Sequence, residues 1–155
     1  MTPQKQRFRH RPEVGEYGDC HRTAIACLLD LDRDSVPNFG EHYDDTKAFF
    51  DAVDAFLREH GFATVDVAFK APLDDLLAYQ ATVNPHAYYM LAGMSNRGLN
   101  HTVVACGGEI AWDPHPDGTA LVGPCDDGYY WSTYIVPRSL VREAVVERDE
   151  PVEAA

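Results

Sequence analysis

Apolar residues fall at helical spacing through the first half of the chain and alternate with polar ones in much of the second. Gly18-Asp19 precedes a run from Cys20 to Leu31 in which Ala24 to Leu29 leave almost no polar face, as expected for a helix buried on most sides. Within that run Cys20, Ala24, Cys27, Leu28 and Leu31 share one stripe. Pro37 and Gly40 then mark a loop over 30–40. A second helix is capped by Asp44, Asp45 or Thr46, carries the stripe Phe49, Phe50, Val53, Phe56 and Leu57, and stops at His60-Gly61. Val65, Val67 and Phe69 alternate with Thr64, Asp66 and Ala68, predicting a strand. Pro72, Asp74 and Asp75 open a short third helix bearing Leu73, Leu76 and Leu77.

From His86 onward the period is two. Strands are expected at 86–91, 101–106, 109–113 and 129–136, separated by Gly- or Pro-rich links. Helices first and then a meander of strands define an α+β chain with a mainly antiparallel sheet. At 155 residues the chain suits one domain, placed at 1–140, with 141–155 an acid-rich tail.

Thirteen Lys and Arg stand against 25 Asp and Glu, a net charge of −12, which argues against a nucleic-acid partner because phosphate contacts need a basic surface. The charge is uneven: residues 1–12 hold Lys5, Arg7, Arg9 and Arg11 and no acid. The simplest reading is a solvated terminus; the other is an arm folded onto the acidic body or a ligand. No apolar run reaches the ~20 residues of a membrane helix, and the first residues lack a secretory apolar stretch, so no membrane partner is expected. Four Cys without a CxxC pair indicate neither a disulfide scaffold nor a zinc ribbon, and a reduced, cytoplasmic protein is expected.

Candidate chemistry begins at Cys20. A thiol at a helix N-terminus sits at the positive end of the helix dipole, which favours thiolate, and the first-turn N–H groups can hold an oxyanion. The stretch from Asn100 to Pro114 reads as a hairpin that starts with His101 and ends with Asp113. Such a carboxylate can fix the tautomer and orientation of the histidine, completing a nucleophile, base and orienter. Register sets a condition. A strict two-residue turn at Gly107-Gly108 would put His101 and Asp113 on opposite faces. An odd loop or an equivalent bulge would make them a diagonal pair, ~7–8 Å apart at Cα. His86 heads a similar strand and competes as the base, but no carboxylate-ended strand follows it. His21 adjoins Cys20 in sequence, where helical neighbours do not face each other. His42 and His60 read as surface or capping residues.

Asp113-Pro-His115-Pro-Asp117-Gly118 resembles the opening of a calcium loop, but its twelfth position is Pro124 rather than a bidentate Glu. It reads instead as a rigid turn holding Asp113, and neither a metal nor a cofactor is implied. Tyr129, Tyr130, Trp131 and Tyr134 read as core. Cys27 and Cys106 look structural, and Cys125, beside two acids, is a poor setting for thiolate.

Gly18-Asp19-Cys20 opening CHRTAIACLLDL, followed by HTVVACGGEIAWDP, resembles the papain-like cysteine peptidase superfamily. The nearest members are its compact bacterial and phage proteins and the leader peptidase domains of bacteriocin exporters. The resemblance spans roughly residues 18–115. It implies a central helix packed on an antiparallel sheet, Cys20 as nucleophile, His101 as general base and acid, and Asp113 as orienting carboxylate. Hydrolysis or transfer at an amide, isopeptide or thioester carbonyl of a peptide or protein substrate would follow. Family members carry an oxyanion-hole Gln a few residues before the Cys. Val14 to Asp19 contain none, so Gln6 would serve if 7–15 forms an insertion, with Gln4 the weaker choice. The alternative is the same fold as an inactive binding or phage accessory protein, and a metal-dependent hydrolase or unrelated α+β domain is the third reading.

Overall fold

The computed structural model describes residues 1–142. The tail expected at 141–155 therefore lies almost wholly outside the described residues. Among the described residues three α-helices, α1 (Cys20–Leu29), α2 (Thr46–Glu59) and α3 (Leu73–Val83), accompany six strands. These are β1 (Phe62–Phe69), β2 (Tyr88–Ser95), β3 (Asn100–Cys106), β4 (Glu109–Trp112), β5 (Leu121–Gly123) and β6 (Tyr130–Pro137). They form one sheet in the order β1-β6-β2-β3-β4, with β5 paired to β2 and every pairing antiparallel. The chain is thus α+β, as its periodicity predicts. Only β2-β3-β4 is the expected meander, because β6 returns to pair between β1 and β2.

Alternate residues of the central strands divide between two cores, as a period of two requires. Met90 and Val104 join Ala24, Ile25, Phe56 and Leu57 under α1 and α2. Tyr89, Leu91, Val103 and Ala105 join Leu76 of α3 on the opposite face. Strand β2, buried on both faces, is accordingly apolar without alternation.

Helix α1 ends at Leu29, two residues earlier than its apolar run suggests. Asp30 takes a left-handed conformation (φ 55°), and Leu31 donates its N–H back to Ala26 instead of extending the helix. Asp45 caps α2 by accepting from Ala48 N at 3.0 Å, and the helix buries Val53, Phe56 and Leu57. Phe50, expected in that stripe, is 54% exposed. His86 lies exposed in the turn before β2 and heads no strand.

The basic arm is not a solvated tail. Gln4 is fixed by Leu31 O and Arg33 N, and its carbonyl accepts from the Trp112 indole at 2.7 Å. Lys5 crosses the Trp112 ring and donates to the carbonyls of Asp113 and His115 at 2.9 and 2.8 Å. Arg9 pairs with Asp117 at 2.6 Å. The arm therefore straps the end of β4 to the start of α1.

Candidate active site

The turn and the hairpin above it together place two side chains. Cys106 pairs with Glu109 across a two-residue Gly107-Gly108 turn, where Gly107 supplies the positive φ (53°) that such a turn requires. The register then shifts: Ala105 faces Ile110, but Val104 faces Trp112, leaving Ala111 as a bulge. The bulge restores the odd spacing, and His101 Nε2 lies 2.8 Å from Asp113 Oδ1. The histidine is buried and the carboxylate half-buried.

Asp113 is itself held. Oδ1 also accepts from His115 N at 2.8 Å, and Oδ2 accepts from the backbone and hydroxyl of Thr119. The 113–119 loop thus folds back to donate two backbone N–H groups to Asp113. Burial pushes the Asp113 carboxyl up, but the His101 bond and these two N–H donors outweigh it and hold it at about 2. Among the described residues no group of three metal-ligating side chains occurs, here or elsewhere.

Cys20 is the first residue of α1 and lies against His101 and the Thr102 N–H. With His101 Nε2 engaged by Asp113, Nδ1 is the ring nitrogen left for the thiol. Burial raises the thiol's pKa, but the hydrogen bond and charge of His101, with the Thr102 N–H, bring it below the ordinary thiol value despite the nearby Asp19. Burial alone would lower His101, yet Asp113 and Cys20 together lift it to about 9. Opposite shifts in two neighbouring groups favour passage of the thiol proton to the ring.

The start of α1 is built for an anion. Asp19, its N-cap residue, does not cap with its side chain. Its carboxylate turns away to accept from Arg7 N and Phe8 N of the arm and from Arg22 Nε at 2.9 Å. The first helical bond is Thr23 N to Asp19 O, and among the described residues the N–H groups of Cys20, His21 and Arg22 have no acceptor. They surround the thiol and can stabilise an oxyanion. Close approach of the 38–42 loop completes this corner. A Cβ on Gly40 would stand 2.3 Å from Gly18 O, so only glycine fits there.

Gln6 is 5% exposed and bonded through its N–H to Pro114 O, so the docked arm brings it to the Asp113 loop. Its Nε2 donates to Phe8 O at 2.7 Å, and its Oε1 has no partner. Gln4 is turned to Leu31 and Arg33, which removes it as an oxyanion donor. Cys27 is buried in α1, and burial with Asp126 and Asp127 pushes the half-buried Cys125 thiol to about 11.

Sequence reasoning missed Asp19, Arg22 and Thr102. A buried Asp-x-x-Arg pair at i,i+3 is legible as an ion pair on a helix start, but its role in freeing the first-turn N–H groups depends on where the arm lands. Comparison with family models, with curated proteins and with solved structures returned no match to this chain. Among the described residues no helix is long and apolar enough to cross a membrane.

Proposed function

We propose that the protein is a cysteine-dependent hydrolase or acyltransferase of papain-like design, acting on an amide, isopeptide or thioester bond of a peptide or protein. The observation that carries this reading is the contiguous Cys20–His101–Asp113 set, with its 2.8 Å His101–Asp113 bond, at the uncapped start of α1.

In the first half-reaction the Cys20 thiolate attacks the carbonyl carbon. The carbonyl oxygen takes the negative charge and accepts from the free first-turn N–H groups. The His101 imidazolium gives its Nδ1 proton to the leaving amine or thiolate as the bond to carbon breaks, leaving an acyl thioester on Cys20. Neutral His101 then takes a proton from water or an acceptor amine, which attacks the thioester and restores the thiolate–imidazolium pair. Asp113 keeps the ring oriented and stabilises its charge throughout.

Gln6 supports the arm by donating one of its two Nε2 hydrogens to Phe8 O, and the first-turn N–H groups of α1 supply oxyanion donors in this scheme. The reading is tested by intact-mass measurement after mixing with p-nitrophenyl acetate. An acetyl adduct on Cys20 that water or added amine removes, absent in Cys20→Ala, is expected. A wild-type protein that forms no adduct on Cys20 contradicts catalysis and favours a binding protein of the same fold.

A further inference from the structure

The catalytic scheme leaves a second feature of the molecule unused. A partly open cavity of about 200 Å³ sits between α2 and the β1–β6 pair. Phe50 and Val53 give it apolar walls, and Thr64, Asp66, Thr133 and His21 give it a polar end. Asp54 on its rim is paired with Arg58 and Arg138 at 2.8 and 3.5 Å. Asp66 differs: among the described residues it has no cationic partner within ion-pair distance. Its two oxygens accept instead from the hydroxyls of Thr133 and Thr64, which fix the carboxylate's orientation. Because Asp66 and Thr133 face each other in the sheet register and Thr64 lies two residues along, all three are on the face covered by α1 and α2.

We propose that this cavity is a subsite for a cationic side chain, lysine or arginine, of the substrate. Geometry favours it: Asp66 is exposed, but its carboxylate is oriented by two hydroxyls at the edge of a half-enclosed space, and the neighbouring His21 is held neutral by burial. The walls select an organic cation over a metal ion. An alkyl stem packs on Phe50 and Val53 while its charged head reaches Asp66. A metal would lack ligands, since among the described residues no three metal-ligating side chains converge there. The same Thr102 ties the cavity to the nucleophile, because its backbone N–H meets the Cys20 thiol. Cavity and thiol thus share Thr102 and the first turn of α1.

That the cation belongs to a substrate rests on the catalytic reading; that the cavity binds it does not. The test is a titration of the ¹⁵N-labelled protein with Nα-acetyl-lysine amide and, separately, with Nα-acetyl-norleucine amide. Lysine amide is expected to shift the amide resonances of His21, Thr64, Asp66 and Thr133. Norleucine amide should bind about fivefold more weakly, the scale of one part-exposed ion pair. Asp66→Asn should bring the lysine compound down to the norleucine level, and Phe50→Ala, at an exposed position, should weaken both. Equal binding of the two compounds, shifts elsewhere, or an unchanged Asp66→Asn protein overturns the proposal. Iodoacetamide alkylation of Cys20 in Asp66→Asn at the wild-type rate shows that the variant is folded. If wild-type Cys20 is unreactive while lysine binding behaves as stated, the catalytic reading fails and the cation site stands.

Discussion

His101 lies against the Cys20 thiol and His21 follows Cys20 in α1, yet their protons are held in opposite ways. Both rings are withdrawn from solvent, but His101 is lifted to about 9, whereas His21 falls to about 4. The difference is contact. Asp113 lies 2.8 Å from His101 and has its own charge fixed by two backbone donors. His21 meets only the Thr102 hydroxyl and two phenyl rings, Phe39 and Phe49, while Asp66 acts on it from a distance. Burial by itself disfavours imidazolium, and a carboxylate reverses this only at hydrogen-bond range. One side of the first turn of α1 therefore has its cation built in, and the other offers a neutral ring and an unpaired carboxylate.

The contrast breaks most severely at Asp113. Asp113→Ala leaves His101 Nε2, His115 N and Thr119 N without an acceptor and removes the cause of the raised histidine. Turnover should fall roughly 10²- to 10⁴-fold. Asp113→Asn, whose amide oxygen still accepts from Nε2, should recover part of that loss. Equal activity in Asp113→Ala and wild type would remove the orienting role.

Next in size is Asp19→Ala. Asp19 is 1% exposed and Arg22 7%, and the substitution removes the arginine's nearest counter-ion, leaving it Asp34 at 3.6 Å and the Val36 carbonyl, and releases the arm. Stability should drop by about 3–5 kcal/mol in chemical denaturation, the scale for breaking a buried pair. The exposed pair Arg9–Asp117 is worth about 1 kcal/mol at most. A loss no larger at Asp19 would show that the arm is not anchored there.

A smaller effect separates the two histidines by pH. His21, ordinarily near 6.5 and lowered to about 4, favours the folded state when neutral. Its contribution is lost as pH falls from 6.5 through 4. Asp113, lowered from 3.8 to about 2, adds a further loss between those values. On the alkaline side the raised His101 loses its contribution as pH rises from 6.5 to about 9, while the lowered Cys20 gains over an overlapping range. The two act on stability in opposite directions. Melting temperature should therefore decline from pH 6.5 to 4 in wild type and decline less in His21→Gln. An unchanged acid limb in His21→Gln would mean that the ring is not kept neutral by burial.

Much of this site was legible in the sequence. The buried α1, the amphipathic α2, and the residues Cys20, His101 and Asp113 follow from periodicity and from residue type at element ends. The condition that His101 and Asp113 need an odd loop or bulge was readable too. Which of the two occurs was not, because nothing in Glu109-Ile110-Ala111-Trp112 marks Ala111 as the extra residue. The three-residue β5 is too short to give a period. The insertion of β6 between β1 and β2 is a long-range pairing choice that alternation within one strand does not encode. Docking of the arm depends on contacts some 108–110 residues apart, Lys5 to Asp113 and His115, and its basic composition was equally compatible with solvent.

The thiolate–imidazolium pair is the centre of the account, and the rate of Cys20 alkylation by iodoacetamide against pH measures it directly, with the site assigned by peptide mass. Wild type should react with a midpoint below the usual thiol value and a second inflection near 9 as His101 loses its proton. His101→Ala should show a single midpoint back at about 8.5 or above. A wild-type profile with one midpoint in the ordinary thiol range, indistinguishable from that of His101→Ala, would contradict it.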